Sequence, residues 1–389
     1  MKIYFVINQD LFDGSAHALY CYRNCWWLAT TAPAGHSVEL IFPGENRWSR
    51  CDETQHAAEH FRLVESSLKV TALPAWRRKK HARGLTLNFW FTSHARRHLR
   101  TFTKEGDVFI TASFPKLLKA FASTKRLRTQ LRWIYEVHQL AKLDFGTGSA
   151  RDKKEAEALA LAQGFVTTTG SLAGMLEEGF PAIRRVNLGL ACGQPPADIP
   201  PPPSANEAFT LGYLGSLYGG QGVEWLVTNW ATIRERLGVP AKLVIGGGSE
   251  IQIEKIRIIA ETSGANGIEF AGHIPPSGIS SFLASIHALI IPSAATGRMP
   301  FVAITKAYDY LAYQRPVIAS SLPSITEIMR PDVEALVFEP MDLDGLVRCA
   351  KTLLNSPEEG NRLTNSALER CGSFTWEARA RKYWRWLME

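Results

Sequence analysis

The apolar positions of this chain fall in short runs, rich in β-branched and aromatic residues, that alternate with longer stretches of helical periodicity. That rhythm predicts parallel sheets with crossover helices. In the first half, strands are expected at residues 2–7, 37–42, 108–110, 132–136 and 164–168. In the second half they are expected at 209–214, 241–245, 268–270, 288–291 and 316–319. Each set of five can form a doubly wound sheet, so the expected fold class is α/β with two Rossmann-like domains. Between them, Gln194-Pro195-Pro196-Ala197-Asp198-Ile199-Pro200-Pro201-Pro202-Pro203 holds six prolines in ten residues. Proline removes backbone donors and favours extended chain, so this stretch continues neither sheet nor helix. The expected division is an N-terminal domain over 1–190, a linker over 191–208, a C-terminal domain over 209–372 and a closing helix over 373–389. Doubly wound sheets bind ligands beyond the carboxyl ends of their strands, so two such domains facing a central cleft would place the chemistry in those loops.

Composition narrows the class. With 389 residues, 46% hydrophobic and 21% charged, the chain is an ordinary globular protein, which excludes disorder and disulfide-stapled miniproteins. The six cysteines are scattered without a C-x-x-C, as expected of a reducing, cytoplasmic compartment and not of a zinc ribbon. After Met1-Lys2 the apolar run Ile3–Ile7 is shorter than a signal-peptide core and far shorter than a membrane span, and reads as a buried strand. Charge is lopsided: residues 1–180 carry 25 Lys/Arg against 17 Asp/Glu, and 16 of those basic residues lie between Lys69 and Arg132 with only Glu105 and Asp107 beside them. The first half is therefore expected to meet something anionic. Trp76-Arg77-Arg78-Lys79-Lys80-His81-Ala82-Arg83, with Phe89-Trp90-Phe91 and Arg96-Arg97 nearby, suits an anionic membrane surface. No nucleic-acid module accompanies these charges, so no nucleic-acid partner is expected.

Leu211-Gly212-Tyr213-Leu214-Gly215-Ser216-Leu217-Tyr218-Gly219-Gly220-Gln221-Gly222-Val223 reads as a strand, a glycine-rich loop and a helix start. Such a loop lets backbone N–H groups approach a phosphate, although tight turns need glycine for steric reasons alone. A polar loop holding Arg298 leads into a helix expected over 302–313, on which Lys306 and Asp309 share a face. Taken alone they read as a solvated ion pair. Ser324, with Glu327 three residues on, reads as a helix cap, and Asp342-Leu343-Asp344 as helix capping and not as a metal-binding D-x-D. No dinucleotide fingerprint follows the first strand, which argues against a nicotinamide-dependent oxidoreductase.

In order, Gly215-Ser216-Leu217-Tyr218 with Gly222-Val223, Gly246-Gly247-Gly248, Phe270-Ala271-Gly272-His273-Ile274, Lys306-Ala307-Tyr308-Asp309-Tyr310-Leu311-Ala312 and Arg315-Pro316-Val317-Ile318-Ala319-Ser320 resemble the donor domain of retaining, GT-B-fold glycosyltransferases of the family 4 type. Phe374-Thr375-Trp376 introduces the closing helix that in this fold returns to the first domain. Asp13-Gly14-Ser15-Ala16-His17, Gly35-His36-Ser37 and Tyr135-Glu136-Val137-His138 match the acceptor domain more faintly. The resemblance implies transfer of a sugar from a nucleotide-diphosphate sugar to an acceptor hydroxyl, glycan or lipid-linked, on the cytoplasmic side of a membrane, with no metal and no other cofactor. The leaving diphosphate assists deprotonation of the acceptor, so no protein nucleophile is implied. The residues it implies are His138, Arg298 and Lys306 for catalysis. Gly14, Ser15, His17, Glu136, Gly215, Ser216, Gln221, Gly222, Gly247, His273, Ile274, Thr305 and Asp309 would bind the substrates. The chain departs from the pattern where members carry a diphosphate-binding lysine, here Gln221, and two glutamates, here Phe301 and Asp309. Arg298 and Lys306 are the expected compensating cations. A nucleotide-sugar-binding relative without transferase activity, acting as an assembly partner, is the alternative reading.

Overall fold

The computed structural model describes residues 1–45, 49–63, 66–75, 89–112, 114–193, 198–204 and 207–389. The basic run 76–83 and residues 194–197 of the proline-rich stretch lie outside the described residues. The chain forms two compact units, Met1–Gly189 with Trp376–Glu389, and Leu190–Thr375.

The first unit holds β1 (Lys2–Val6), β2 (Ser37–Glu45), β3 (Cys51–Asp52), β4 (Lys69–Ala75), β5 (Asp107–Ala112), β6 (Leu131–Val137), β7 (Gly164–Thr167) and β8 (Arg184–Asn187). They form one sheet in the order β3-β4-β2-β1-β5-β6-β7-β8, parallel except for the β3/β4 pair. β1 is central: Ile3 pairs with Val38 on one side and Val108 on the other, and its Ile3–Val6 run is buried. A strand covered on both faces reads as continuously apolar, which is why these four residues form strand despite lacking alternation. The helix Trp376–Met388 packs on this unit, with Tyr383, Trp384 and Leu387 in the same core as Ile3, Phe5 and Leu28.

The second unit holds β9 (Phe209–Leu214), β10 (Ala241–Gly246), β11 (Ile268–Gly272), β12 (Ala288–Ile291), β13 (Val317–Ser320) and β14 (Leu336–Phe338) in the order β11-β10-β9-β12-β13-β14, all parallel. The order reverses at β9, whose neighbours are β10 and β12, so the loops after β9 and β12 flank a topological switch point.

The structure corrects several local expectations. β3, β4, β8 and β14 had no sequence signal of their own. β4 is Lys-Val-Thr-Ala-Leu-Pro-Ala, short of β-formers, and is held as strand by pairing with β2. β8 is a charged edge strand, and β3 and β14 are two and three residues long. The helix expected over 302–313 is Thr305–Leu311, because the chain before it is wound into a turn in which the Arg298 carbonyl accepts the N–H groups of Phe301 (3.0 Å) and Val302 (3.1 Å). Ser324 does not cap: it lies inside the helix Pro323–Thr326, and its hydroxyl donates to the Met299 carbonyl (2.8 Å). Asp342 occupies the N-cap of Leu343–Asn355 without a side-chain cap bond, its carboxylate lying 3.5 Å from Arg348.

Candidate functional site

β9 ends at Leu214 and delivers the loop 215–222; β12 ends at Ile291 and delivers the loop that runs into Thr305–Leu311. The two loops enclose a cavity of about 260 Å³ lined by Gly215, Ser216, Tyr218, Gln221, Met299, Thr305, Lys306 and Asp309, among others. Two tyrosine hydroxyls pin the backbone at the start of the first loop. Tyr213 donates its hydroxyl to the Ser216 carbonyl (2.6 Å), and Tyr310 brackets Leu214, accepting its N–H (2.8 Å) and donating to its carbonyl (3.1 Å). Gly247 lies directly beneath the loop, where a side chain would collide with the Gly215 carbonyl at 2.2 Å.

Gly222 adopts φ +78°, and a Cβ there would sit 1.6 Å from the Pro292 carbonyl oxygen. The two loops can therefore meet only across a glycine. Gly222→Ala is expected to push them apart, with an overpacking cost of about 1–3 kcal/mol to the second unit and loss of ligand binding there. Thermal unfolding and calorimetry on the same preparation check this, and an alanine variant as stable as the parent refutes it. The helix that follows, Val223–Thr228, has six residues, too few to add much of a helix dipole to the loop.

Lys306 is the electrostatic centre of the cavity. It is buried, its ammonium donates to Gln221 Oε1, and it sits 4.8 Å from the centroid of the Tyr213 ring. Burial lowers its pKa to about 7, and no neighbouring charge contributes. The solvated pair with Asp309 does not form: among the described residues Lys306 has no carboxylate partner, and Asp309 Oδ1 instead accepts the Gly193 N–H at 2.9 Å. A cation desolvated without an anion is an open valence in electrostatic terms, and a phosphate entering the cavity would close it. Thr305 is exposed at the rim. Arg298 is half-buried in the turn before the helix and is not among the residues lining the cavity, although its neighbour Met299 is. His273 is exposed and Ile274 half-buried after β11; neither lines the cavity.

In the first unit, Gly14 is exposed at φ +73°. Ser15 caps the helix Ala16–Thr30, its Oγ accepting from Ala18 N (3.1 Å) and from Gln9 Nε2 (2.9 Å). His17 lies 5.7 Å from His138 between ring centroids, and burial together with His138 lowers its pKa to about 4, so it is neutral at neutral pH. Glu136 is not presented to a ligand. It is fully buried and takes hydrogen bonds from Tyr20 and Asn24 (3.3 Å) and an ion pair from Arg379. Burial alone would raise its pKa, but Arg379 and His138 outweigh that and hold it at about 2. Arg379, carried by Trp376–Met388, also donates to Asn24 Oδ1 (2.6 Å) and the Gly189 carbonyl (3.0 Å). His138 Nε2 stands 3.7 Å from Glu136, which makes the buried carboxylate a support for the histidine. Sequence reasoning missed Arg379, Asn24 and Tyr20. The one signal for the second site's Tyr310 was its place one residue after Asp309.

Among the described residues, no group of three His, Cys, Asp or Glu side chains could hold a metal ion, and no helix is long and apolar enough to cross a membrane.

Solved structures of similar architecture cover the whole chain. Sucrose-phosphate synthase from Thermosynechococcus elongatus superposes with a TM-score of 0.73 at 16% identity, over 100% of this chain and 98% of that one. The lipopolysaccharide outer core galactosyltransferase WaaB gives 0.72 at 15%, over 100% and 99%. Anabaena HepE in complex with UDP gives 0.69 at 12%, over 100% of both chains. The fold is GT-B. Within this GT-B chain, residues 208–356 match the family model described as Glycosyl transferases group 1, and that stretch carries every residue that lines the Lys306 cavity. The comparison with curated protein sequences gave no match.

Proposed function

We propose that this GT-B protein is a retaining glycosyltransferase that moves a sugar from a nucleotide-diphosphate donor to an acceptor hydroxyl on a glycan or lipid-linked molecule at the cytoplasmic face of a membrane. The observation that carries the reading is the buried, carboxylate-free ammonium of Lys306, which opens on a cavity at the switch point of the group 1-matching unit. The loop 215–222 and Lys306 hold the pyrophosphate, with Arg298 as a second cation at the loop, while Asp309 and Thr305 face the nucleoside. Gly14 and His138 position the acceptor in the first unit, and His17, neutral, packs behind them. The departing diphosphate takes the acceptor proton, so the protein's work is to stabilise that negative charge and align the hydroxyl.

Lys306 does the work of the lysine that Gln221 replaces, reaching the same spot from the helix side and held there by the Gln221 amide oxygen. This favours an active enzyme over a binding-only relative. HepE is described in complexes with UDP and UDP-glucose, which makes UDP-sugars the first donors to try. Calorimetry with UDP- and GDP-sugars, paired with a donor-hydrolysis assay, is the test. Binding with turnover is expected; binding without turnover in the presence of lipid extracts would favour the assembly-partner reading, and no binding at all would refute both. Arg298→Ala is expected to weaken nucleoside-diphosphate binding about tenfold, within the range of a hydrogen bond to a charged group, and nucleoside binding little. Equal losses would remove Arg298 from the diphosphate site.

A further inference from the structure

The helix Phe89–Phe102 carries no acidic residue. It buries Phe91, Thr92, Ala95, His98 and Leu99 against the first unit's sheet. Its outward stripe, at the spacing of one helical face, is Phe89, Trp90, Ser93, Arg97 and Arg100. Phe89 is 80% exposed and Trp90 55%, which is unusual for rings of that size on one face. Further along the same helix, Arg96, Arg97 and Arg100 converge with Arg126 on an open recess of about 680 Å³. Among the described residues none of these four guanidinium groups has a carboxylate partner, and Arg96 is fixed in place by donating to the Ala120 carbonyl (2.6 Å). Four like charges around one recess repel one another until an anion enters.

We propose that this face docks on an anionic phospholipid bilayer, with headgroup phosphates in the arginine recess and Phe89 and Trp90 at headgroup depth. The paired requirement selects a lipid surface: free phosphate needs the arginines but has no use for two exposed rings, whereas an interface takes both. The recess is built from the helix Phe89–Phe102 and the helix Lys125–Gln130, which ends where β6 begins, at the end of the strands opposite the ligand loops. The surface goes beyond the proposed reading: it lies at the other end of the strands from Gly14 and His138, and it stands without the donor site.

The test is co-sedimentation of the full chain with vesicles of phosphatidylcholine alone or mixed equally with phosphatidylglycerol. Binding is expected to the mixed vesicles only and to weaken as salt rises. Arg97→Gln with Arg100→Gln should lower partitioning about 30-fold, as expected for two basic residues at an anionic surface. Trp90→Ala should lower it several-fold at every salt concentration. Circular dichroism and thermal unfolding check that the variants fold. Equal binding to both vesicle types, or unchanged partitioning of the arginine variant, would overturn the proposal. So would displacement by inorganic phosphate at an ionic strength where chloride has no effect, which would mark a free-phosphate site. Nucleotide calorimetry on the same variants is expected to match the parent. If neither parent nor variants bind nucleotide while vesicle binding follows the pattern above, the donor reading fails and the docking surface stands.

Discussion

Replacing Lys306 by methionine is expected to weaken binding of a nucleotide-diphosphate sugar by about 10–150-fold, the equivalent of roughly 1.5–3 kcal/mol for a hydrogen bond to a charged group. Nucleoside binding should change little. The pH dependence gives the sharper test. With its pKa lowered to about 7, Lys306 is largely neutral at pH 8 in the free protein, and an incoming pyrophosphate restores the proton. Affinity should therefore fall as pH rises above about 7, and calorimetry at pH 8 in buffers of different ionisation heat should register proton uptake. The methionine variant should show neither effect. Stability follows the opposite sense. The folded pKa lies below the unfolded value of 10.5, so the burial penalty is complete below about pH 7 and disappears as pH approaches 10.5. The melting temperature of the ligand-free variant relative to the parent should thus be highest near pH 6 and decline towards pH 9. A difference that does not vary with pH would show that Lys306 is not buried as a charge.

The second large effect is on the fold. Arg379→Met leaves the fully buried Glu136 carboxylate uncompensated and is expected to cost the first unit about 3–5 kcal/mol, a large share of the ~5–15 kcal/mol that keeps an ordinary domain folded. Adding Glu136→Gln should recover much of the loss. With its pKa held near 2 against an ordinary 4.5, Glu136 contributes stability that is present above pH 4.5 and lost as pH falls towards 2. The gap between parent and Arg379→Met should accordingly be widest at neutral pH and close on acidification. Urea unfolding across that range checks it, and a gap of constant size would mean that the pair is not what Arg379 contributes. Because His138 leans on Glu136, the single variant should also impair acceptor use more than donor binding.

The central strands and both sheets' parallel character were legible because a strand buried on both faces must be a continuous apolar run, whatever surrounds it. β1 and β12 show this: their apolar runs end within a residue of the strand. The loop 215–222 was legible because a close approach of two backbones leaves no alternative to glycine, as at Gly222 against Pro292. Strands that owe their state to a neighbour, β4 and β8 among them, left no trace in the local pattern.

The sequence by itself thus determined where the chain is buried, where it turns and which residue types reach the ends of the strands, since those depend on neighbours a few positions away. Only the tertiary structure decided what the charges do. Lys306 became a buried cation through Gln221, 85 positions distant, and Glu136 a structural carboxylate through Arg379, 243 positions distant. A charge takes its pKa and its partner from whatever is packed around it, and that packing exists only once the fold has brought remote segments together.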